Sequence, residues 1–352
     1  MRTAPSRTAG PGRLPRAFLS AAMVLALASA AALFLPVKSG LPLSNGRLYV
    51  VNEGSASVSI LDSDGLTPIA TVPTATRPQN VNVDPKGRYF YVTALFSQAS
   101  DDLLQVFDVG SNALLSSVVV GHEPAYVVPD PAGERVYVSS VSANTVTVIA
   151  VPQFKVEESL KVRGRGPEGL ALAPGGRMIL TPNARSGDVS VLDLEHRTAE
   201  VVKLPPGSRP LAMDVSRDGK SAYVTDPGLN QVYKIDLGAR RVVASLSVGA
   251  LPVQPLLHPT RPFLYIPCRE AGALYKVDVD AWRVERTIPL GKGPSGIAFS
   301  ADGKYAYVTL AGEQPKGRVA VVDTEADAVR ASVSVEQSPK GIAVLFGKNE
   351  GE

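Results

Sequence analysis

An all-β fold, a seven-bladed β-propeller of four-stranded blades, is predicted for this 352-residue chain by three observations. A proline recurs at Pro78, Pro124, Pro167, Pro210, Pro252, Pro294 and Pro339, roughly every 42 to 46 residues, the pitch of a four-stranded blade. After each proline comes the same succession: a short apolar stretch, a Gly-containing turn, an aromatic–aliphatic pair, an apolar strand often ending in Asp, and a last apolar strand. The final unit stops after its first strand, and its missing partners stand at the front of the chain.

Ahead of the repeats, Arg2, Arg7, Arg13 and Arg16 precede an apolar run from Ala17 to Leu35 with small residues at Ala28, Ala30 and Ala32. A positive flank, an apolar core and Ala-x-Ala-like sites are expected of an export signal over residues 1–37. It is either cleaved or kept as an inner-membrane anchor over residues 17–37. Arginines on its N-terminal side place that end in the cytoplasm, so the repeats are expected in the periplasm, secreted or at the cell surface. No twin-arginine pair and no following Cys are present, which points to the general secretory route. Residues 38–44 are expected to be a short linker, 45–346 the propeller and 347–352 a disordered tail.

The charge balance excludes a net basic domain. The 36 Lys and Arg fall to 32 once the four leader arginines are set aside, against 33 Asp and Glu. Nucleic acid is therefore not an expected partner on charge grounds. The single cysteine, Cys268, allows no internal disulfide and no Cys-x-x-Cys-His haem attachment. No cofactor and no metal site are expected: His122, His196 and His258 share no metal-ligand spacing.

Within each unit the first strand is rich in small residues, as in Gly296-Ile297-Ala298-Phe299 and Gly341-Ile342-Ala343-Val344, and suits the crowded centre of a ring. Asp218-Gly219 and Asp302-Gly303 predict type I′ hairpin turns after it, and His258-Pro259-Thr260-Arg261-Pro262 breaks that pattern. The second strand carries Tyr91-Val92, Tyr137-Val138, Ile179-Leu180, Tyr223-Val224, Tyr265-Ile266 and Tyr307-Val308. Third strands such as Val189-Ser190-Val191-Leu192-Asp193 alternate at period two, as half-buried strands do. Fourth strands lie outermost, and Trp282, before one of them, is expected to cover a blade edge. At the front, Asn45-Gly46, Tyr49-Val50 and Val58-Ser59-Ile60-Leu61-Asp62 supply a turn and two strands. The C-terminal strand near Ile342 is thus expected to pair beside Tyr49 and close the ring, leaving only short outer edges unpaired.

Tyr91-Val92-Thr93, Tyr223-Val224-Thr225 and Tyr307-Val308-Thr309, each downstream of a Gly turn, resemble the YVTN-repeat propellers, as do the junctions Val248-Gly249-x-x-Pro252 and Gly291-Lys292-Gly293-Pro294. The resemblance covers residues 44 to 346. It implies an exported bacterial or surface-layer-like propeller; the wider superfamily includes lactonases, dehydrogenase subunits and a DNA-binding member, so it fixes the fold and leaves the activity open.

In a propeller the loops from strand four to the next strand one, and from strand two to strand three, share one face around the channel mouth, a concave site of the kind ligands use. Arg77, Asn80, Glu123, Tyr126, Arg165, Glu168, Arg209, Gln254, Lys292 and Lys340 fall in or beside the junctions and are the expected ligand-binding set, a cationic funnel for an anion. Glu123, Glu168 and His122 are the catalytic candidates, and salt bridges from the two carboxylates to Arg77, Arg165 or Arg209 are the plainer expectation. Cys268, beside Arg269, is expected to be buried and inert.

The leading functional expectation is an envelope-associated binding module, monomeric, for an anionic small molecule, a glycan or an envelope protein, touching the membrane only through an uncleaved leader. Two alternatives are a lactonase-like hydrolase using the funnel carboxylates and the non-haem subunit of a periplasmic redox complex.

Overall fold

The computed structural model describes residues 46–95, 102–312 and 315–346. The expected leader, linker and C-terminal tail lie outside the described residues.

Seven antiparallel four-stranded sheets make up the described chain, and no helix occurs among the described residues. Six blades are built from consecutive strands, from β4 (Pro78–Val83) through β7 (Leu114–Val119) in the second blade to β24 (Pro294–Phe299) through β27 (Ala328–Ser334) in the seventh. The first blade is composite. Its order is β28 (Pro339–Leu345), β1 (Arg47–Asn52), β2 (Ser57–Asp62), β3 (Pro68–Pro73), with Val50 opposite Ile342 and Tyr49 opposite Ala343. The first and last of the described strands therefore close the ring, as the repeat pattern requires.

Each blade contributes its second and third strands to layers of fully buried side chains between neighbours. Tyr49, Phe90 and Phe107 stack between the first two blades, with ring centroids 4.8 and 4.7 Å apart. First strands carry small residues because backbones meet closely at the centre. A Cβ on Gly296 would lie 2.3 Å from the Lys340 carbonyl oxygen, so no larger residue fits there.

The Tyr-Val-Thr motif has a structural reason. Its Thr, fifth in the second strand, reaches the next blade and donates to the carbonyl of the residue after that blade's repeated proline. Thr93 Oγ1 donates to Ala125 (3.0 Å), Thr225 Oγ1 to Val253 (2.6 Å), Thr309 Oγ1 to Lys340 (2.7 Å), and Ser139 Oγ does the same to Glu168 (2.9 Å). Such buried bonds are worth about 1 kcal/mol each and set the blade-to-blade register. The remaining second strands place Val51, Pro182 and Pro267 at this position.

Two sequence expectations need correcting in detail, and the aberrant turn has a structural explanation. In the fourth blade the residues equivalent to Tyr-Val are Leu180 and Thr181, one position later than Ile179-Leu180, because Leu180 faces Val191 as Tyr49 faces Ile60. The turns after the first strands are not two-residue type I′ turns. Ser216 and Ser221 close a four-residue loop in which Gly219 takes positive φ (68°) and Asp218 does not, its carboxylate instead accepting the Lys220 amide. At the aberrant turn, His258 supplies the side-chain acceptor that Asp and Ser supply elsewhere: its Nδ1 accepts the backbone N–H groups of Thr260 and Arg261, and Nε2 lies 2.9 Å from the Gly303 carbonyl of the next blade. His258 is buried, and its pKa is held below the ordinary value by burial and by Arg261 and Lys276.

Trp282 stacks on Tyr223 of the preceding blade, 6.1 Å between centroids, and donates to the Ser245 carbonyl, so it covers a blade edge as expected.

Candidate functional site

The junction loops and second-to-third-strand loops meet around an axial cavity of about 190 Å³. Six of the seven blades bring a polar side chain to the wall from the start of the first strand. Asn80, Tyr126, Glu168, Gln254, Ser295 and Lys340 line it, and Arg269 enters from the loop after β21 (Phe263–Cys268). Five of the expected binding residues thus converge: Asn80, Tyr126, Glu168, Gln254 and Lys340. Arg77, Glu123, Arg165, Arg209 and Lys292 stand outside the cavity lining. Arg77 is exposed and lies 3.6 Å from Glu53, while Arg165, Arg209 and Lys292 are exposed on the rim.

Two cations remain at the centre. Lys340 Nζ is 3.0 Å from Glu53 and donates to Gln79 at 2.8 Å. Burial alone would raise the Glu53 carboxyl, but the hydrogen bonds from Lys340 and Gln79 bring it below the usual carboxylate range. Arg269 donates from Nη2 to Ser295 Oγ (2.7 Å), while its buried Nε–H has no hydrogen-bond partner among the described residues. A buried guanidinium N–H left open is costly and normally satisfied. In the sequence Arg269 stands out only as a neighbour of Cys268. Its importance comes from the seventh blade laying Ser295 against it, which no local motif announces.

Glu168 is half-buried in the same wall. Burial and the nearby Glu123 carboxylate push its pKa up, against the pull of Arg185 and Lys340. The Tyr126 hydroxyl is likewise pushed up by burial and by Glu168. The Glu123 carboxylate is therefore felt at Glu168 across successive blades. The cation bound to Glu123 is Arg185 (2.9 Å), not Arg77, Arg165 or Arg209, and Ser142 Oγ also donates to it. Among the described residues Glu168 has no salt bridge. His122 sits on the exposed rim with Nδ1 2.8 Å from Asp102, whose buried carboxylate also accepts the Glu123 amide. This pair fixes the Glu123 loop, whose φ is positive (57°).

Cys268 is fully buried, and burial pushes its thiol up to about 12, so Arg269 confers no reactivity on it. No cluster of three potential metal ligands occurs among the described residues.

A family model of YncE-like β-propellers matches residues 59–261. YncE of Salmonella typhimurium is 26% identical over 192 residues, 53% of this chain and 54% of its own. The chain spans about half the length of the YncE relatives it matches. Antigen Lp49 of Leptospira interrogans is 23% identical over 340 residues, 87% of this chain and 71% of its own. Among solved structures, the periplasmic gluconolactonase PpgL of Pseudomonas aeruginosa superposes with a TM-score of 0.72 at 20% identity, over 86% of this chain and 100% of its own, a likeness of fold. With the closed ring and its repeat, these matches establish that the chain belongs to the YncE-like β-propeller family.

Proposed function

We propose that this chain is an exported, envelope-associated propeller that binds a small hydroxylated carboxylate in the axial cavity. The observation that carries the reading is the convergence of two cations, Arg269 and Lys340, on the lining of one axial cavity. Glu168, Gln254, Asn80 and Tyr126 around it are suited to hydroxyl groups. Export is supported by the order of arginines, apolar run and small residues at the front of the sequence.

Gluconate is the probe, a choice suggested by the name of the gluconolactonase neighbour. Titration calorimetry is expected to show binding by the parent, weakened about 10- to 100-fold in Arg269→Gln, the loss typical of a charge-assisted hydrogen bond. Arg77→Gln is expected to leave it unchanged. Equal binding by parent and Arg269→Gln removes the axial cavity from the reading.

A second reading, lactone hydrolysis, is favoured by Glu168 in the same cavity, whose carboxyl is raised by burial and by Glu123, as suits a general acid or base. Opening of δ-gluconolactone above the buffer rate, lost in Glu168→Gln with gluconate binding retained, is the expected result. A parent that binds gluconate without accelerating the reaction confines the protein to binding.

A further inference from the structure

The turn after the first strand is built alike in the blades made of consecutive strands. Asp84, Asp130, Ala173, Ser216, His258 and Ser300 are equivalent, each donating its amide to the carbonyl of the residue five positions on. The side chains of Asp84, Asp130, Ser216 and Ser300 also accept a backbone N–H within their own turn. His258 does the same with an imidazole, the one side chain among these whose ordinary pKa lies near neutrality. It also joins its turn to the next blade through the Gly303 carbonyl. In the second blade the equivalent link, to the Gly133 carbonyl, is made by Arg88, which keeps its charge at any ordinary pH.

The surroundings of His258 admit one protonation state. Nδ1 accepts the amides of Thr260 and Arg261, both at 3.1 Å, so it carries no proton. The proton of the neutral ring is then on Nε2, which donates to the Gly303 carbonyl at 2.9 Å. A second proton has to enter at Nδ1, against two N–H groups. The charges that face the ring are cations. Arg261 Nη2 lies 2.8 Å from Nε2 and is held there by the Thr324 carbonyl, Lys276 approaches from the neighbouring strand, and Arg217 of the fifth blade donates to the His258 carbonyl at 3.5 Å. Lys304 follows Gly303 in the opposing turn, and Tyr265 and Phe299 flank the ring. The carboxylates on the surrounding elements are engaged elsewhere: Asp327 holds Lys276, Asp214 accepts the Val215 and Leu257 amides, and Asp278, Asp302 and Asp323 cap their own turns. Among the described residues none pairs with His258. The ring is 3% exposed, so water does not shield an added charge.

We propose that His258 is an acid-released latch on the seam between the sixth and seventh blades. Neutral, it fastens its own turn and the Gly303 turn together. Protonated, it can no longer accept the two amides, and the cations around it drive the ring out of the seam. The same two blades meet again at the axial cavity, where Arg269 donates to Ser295, so the seam runs from the latch to the cavity wall. The device does not depend on what the cavity binds.

Hydrogen exchange on the unaltered protein tests the latch. The folded-state pKa of His258 is lowered, so the fastening is complete above the ordinary imidazole value of about 6.5 and declines as the pH falls below it. Corrected for the intrinsic effect of pH on exchange, protection of the Thr260 and Arg261 amides is expected to fall by as much as about tenfold between about pH 7.5 and about pH 5.5, since the opened turn takes up a proton that the closed turn resists. The Ser221 amide, held by the Ser216 hydroxyl in the equivalent turn of the fifth blade, is expected to keep its protection. His258→Asn retains an acceptor and does not titrate, so the acid loss is expected to vanish in it. Imidazole NMR needs no variant: of the three histidines, one is expected to titrate below the other two and to carry its neutral-form proton on Nε2. Thr260 and Arg261 amides that respond to pH no more than the Ser221 amide would overturn the proposal. So would a folded His258→Asn protein that keeps the acid loss, or three histidines that titrate together.

Discussion

Replacing Ile342 by Asp is expected to abolish cooperative folding of the ring, whereas Phe346→Asp, four residues on, leaves the thermal transition unchanged. Ile342 is 5% exposed and packs with Leu48, Val50, Tyr307, Val319 and Val335, so it joins the first and seventh blades. Losing its side chain from a packed core costs about 2–5 kcal/mol. An unpartnered carboxylate there adds several kcal/mol more, or forces β28 out. Together these approach the whole net stability of an ordinary domain, about 5–15 kcal/mol. Displacing β28 also uncovers the edge of β1, six residues of strand whose side chains include four buried apolar ones, an aggregation template. Phe346 is 52% exposed beyond the strand and lacks both roles. Circular dichroism melts and light scattering report the difference. A reversible, parent-like transition in Ile342→Asp would show that the ring does not depend on its C-terminal strand for closure.

The repeat made most of the architecture legible. A proline every blade, a Tyr-Val-Thr second strand and an unfinished last unit suffice to count blades and place the closing strand, because those features are the ones that the blade geometry itself demands. The fourth-blade slip from Ile179-Leu180 to Leu180-Thr181 shows where the repeat stops deciding: once the tyrosine is missing, two adjacent pairs read alike, and only pairing with Val191 separates them. The site was half legible. Asn80, Tyr126, Glu168, Gln254 and Lys340 follow from their place beside the repeated prolines, since that place is always at the channel mouth. Arg269 lies after a second strand, and whether such a residue turns inward depends on what the next blade offers, here Ser295. Asp214, His258 and Lys276 carry a different signal: each is polar at a position where most blades are apolar or use a turn residue. Each departure makes a link to the next blade that the repeat does not encode.

Lys276 is the departure with the largest expected energetic effect. It stands in β22 (Ala273–Asp278) opposite Tyr265, where the other third strands have Ile60, Val106, Val148, Val191 and Val321, apart from Lys234 in the fifth blade. The side chain is 6% exposed, its Nζ lies 2.7 and 3.0 Å from the two oxygens of Asp327 in the next blade, and it sits 4.5 Å above the Phe263 ring. Thr324 ties the same junction, accepting from Arg261 and donating to Gly303. Asp327→Asn preserves shape and tolerates the positive φ of 52° at this residue, yet leaves a buried ammonium without its anion. The expected loss is about 3 kcal/mol by denaturant unfolding, in the range for breaking one side of a buried pair. Lys276→Met, which returns the position to the apolar pattern with similar volume, is expected to cost under about 1.5 kcal/mol. In that background Asp327→Asn should be nearly silent, so a double-mutant cycle isolates the pair. If Asp327→Asn costs the same in the Lys276→Met background as in the parent, the sixth and seventh blades are held by packing and the Thr324 hydrogen bonds, and the ion pair contributes no coupling across the junction.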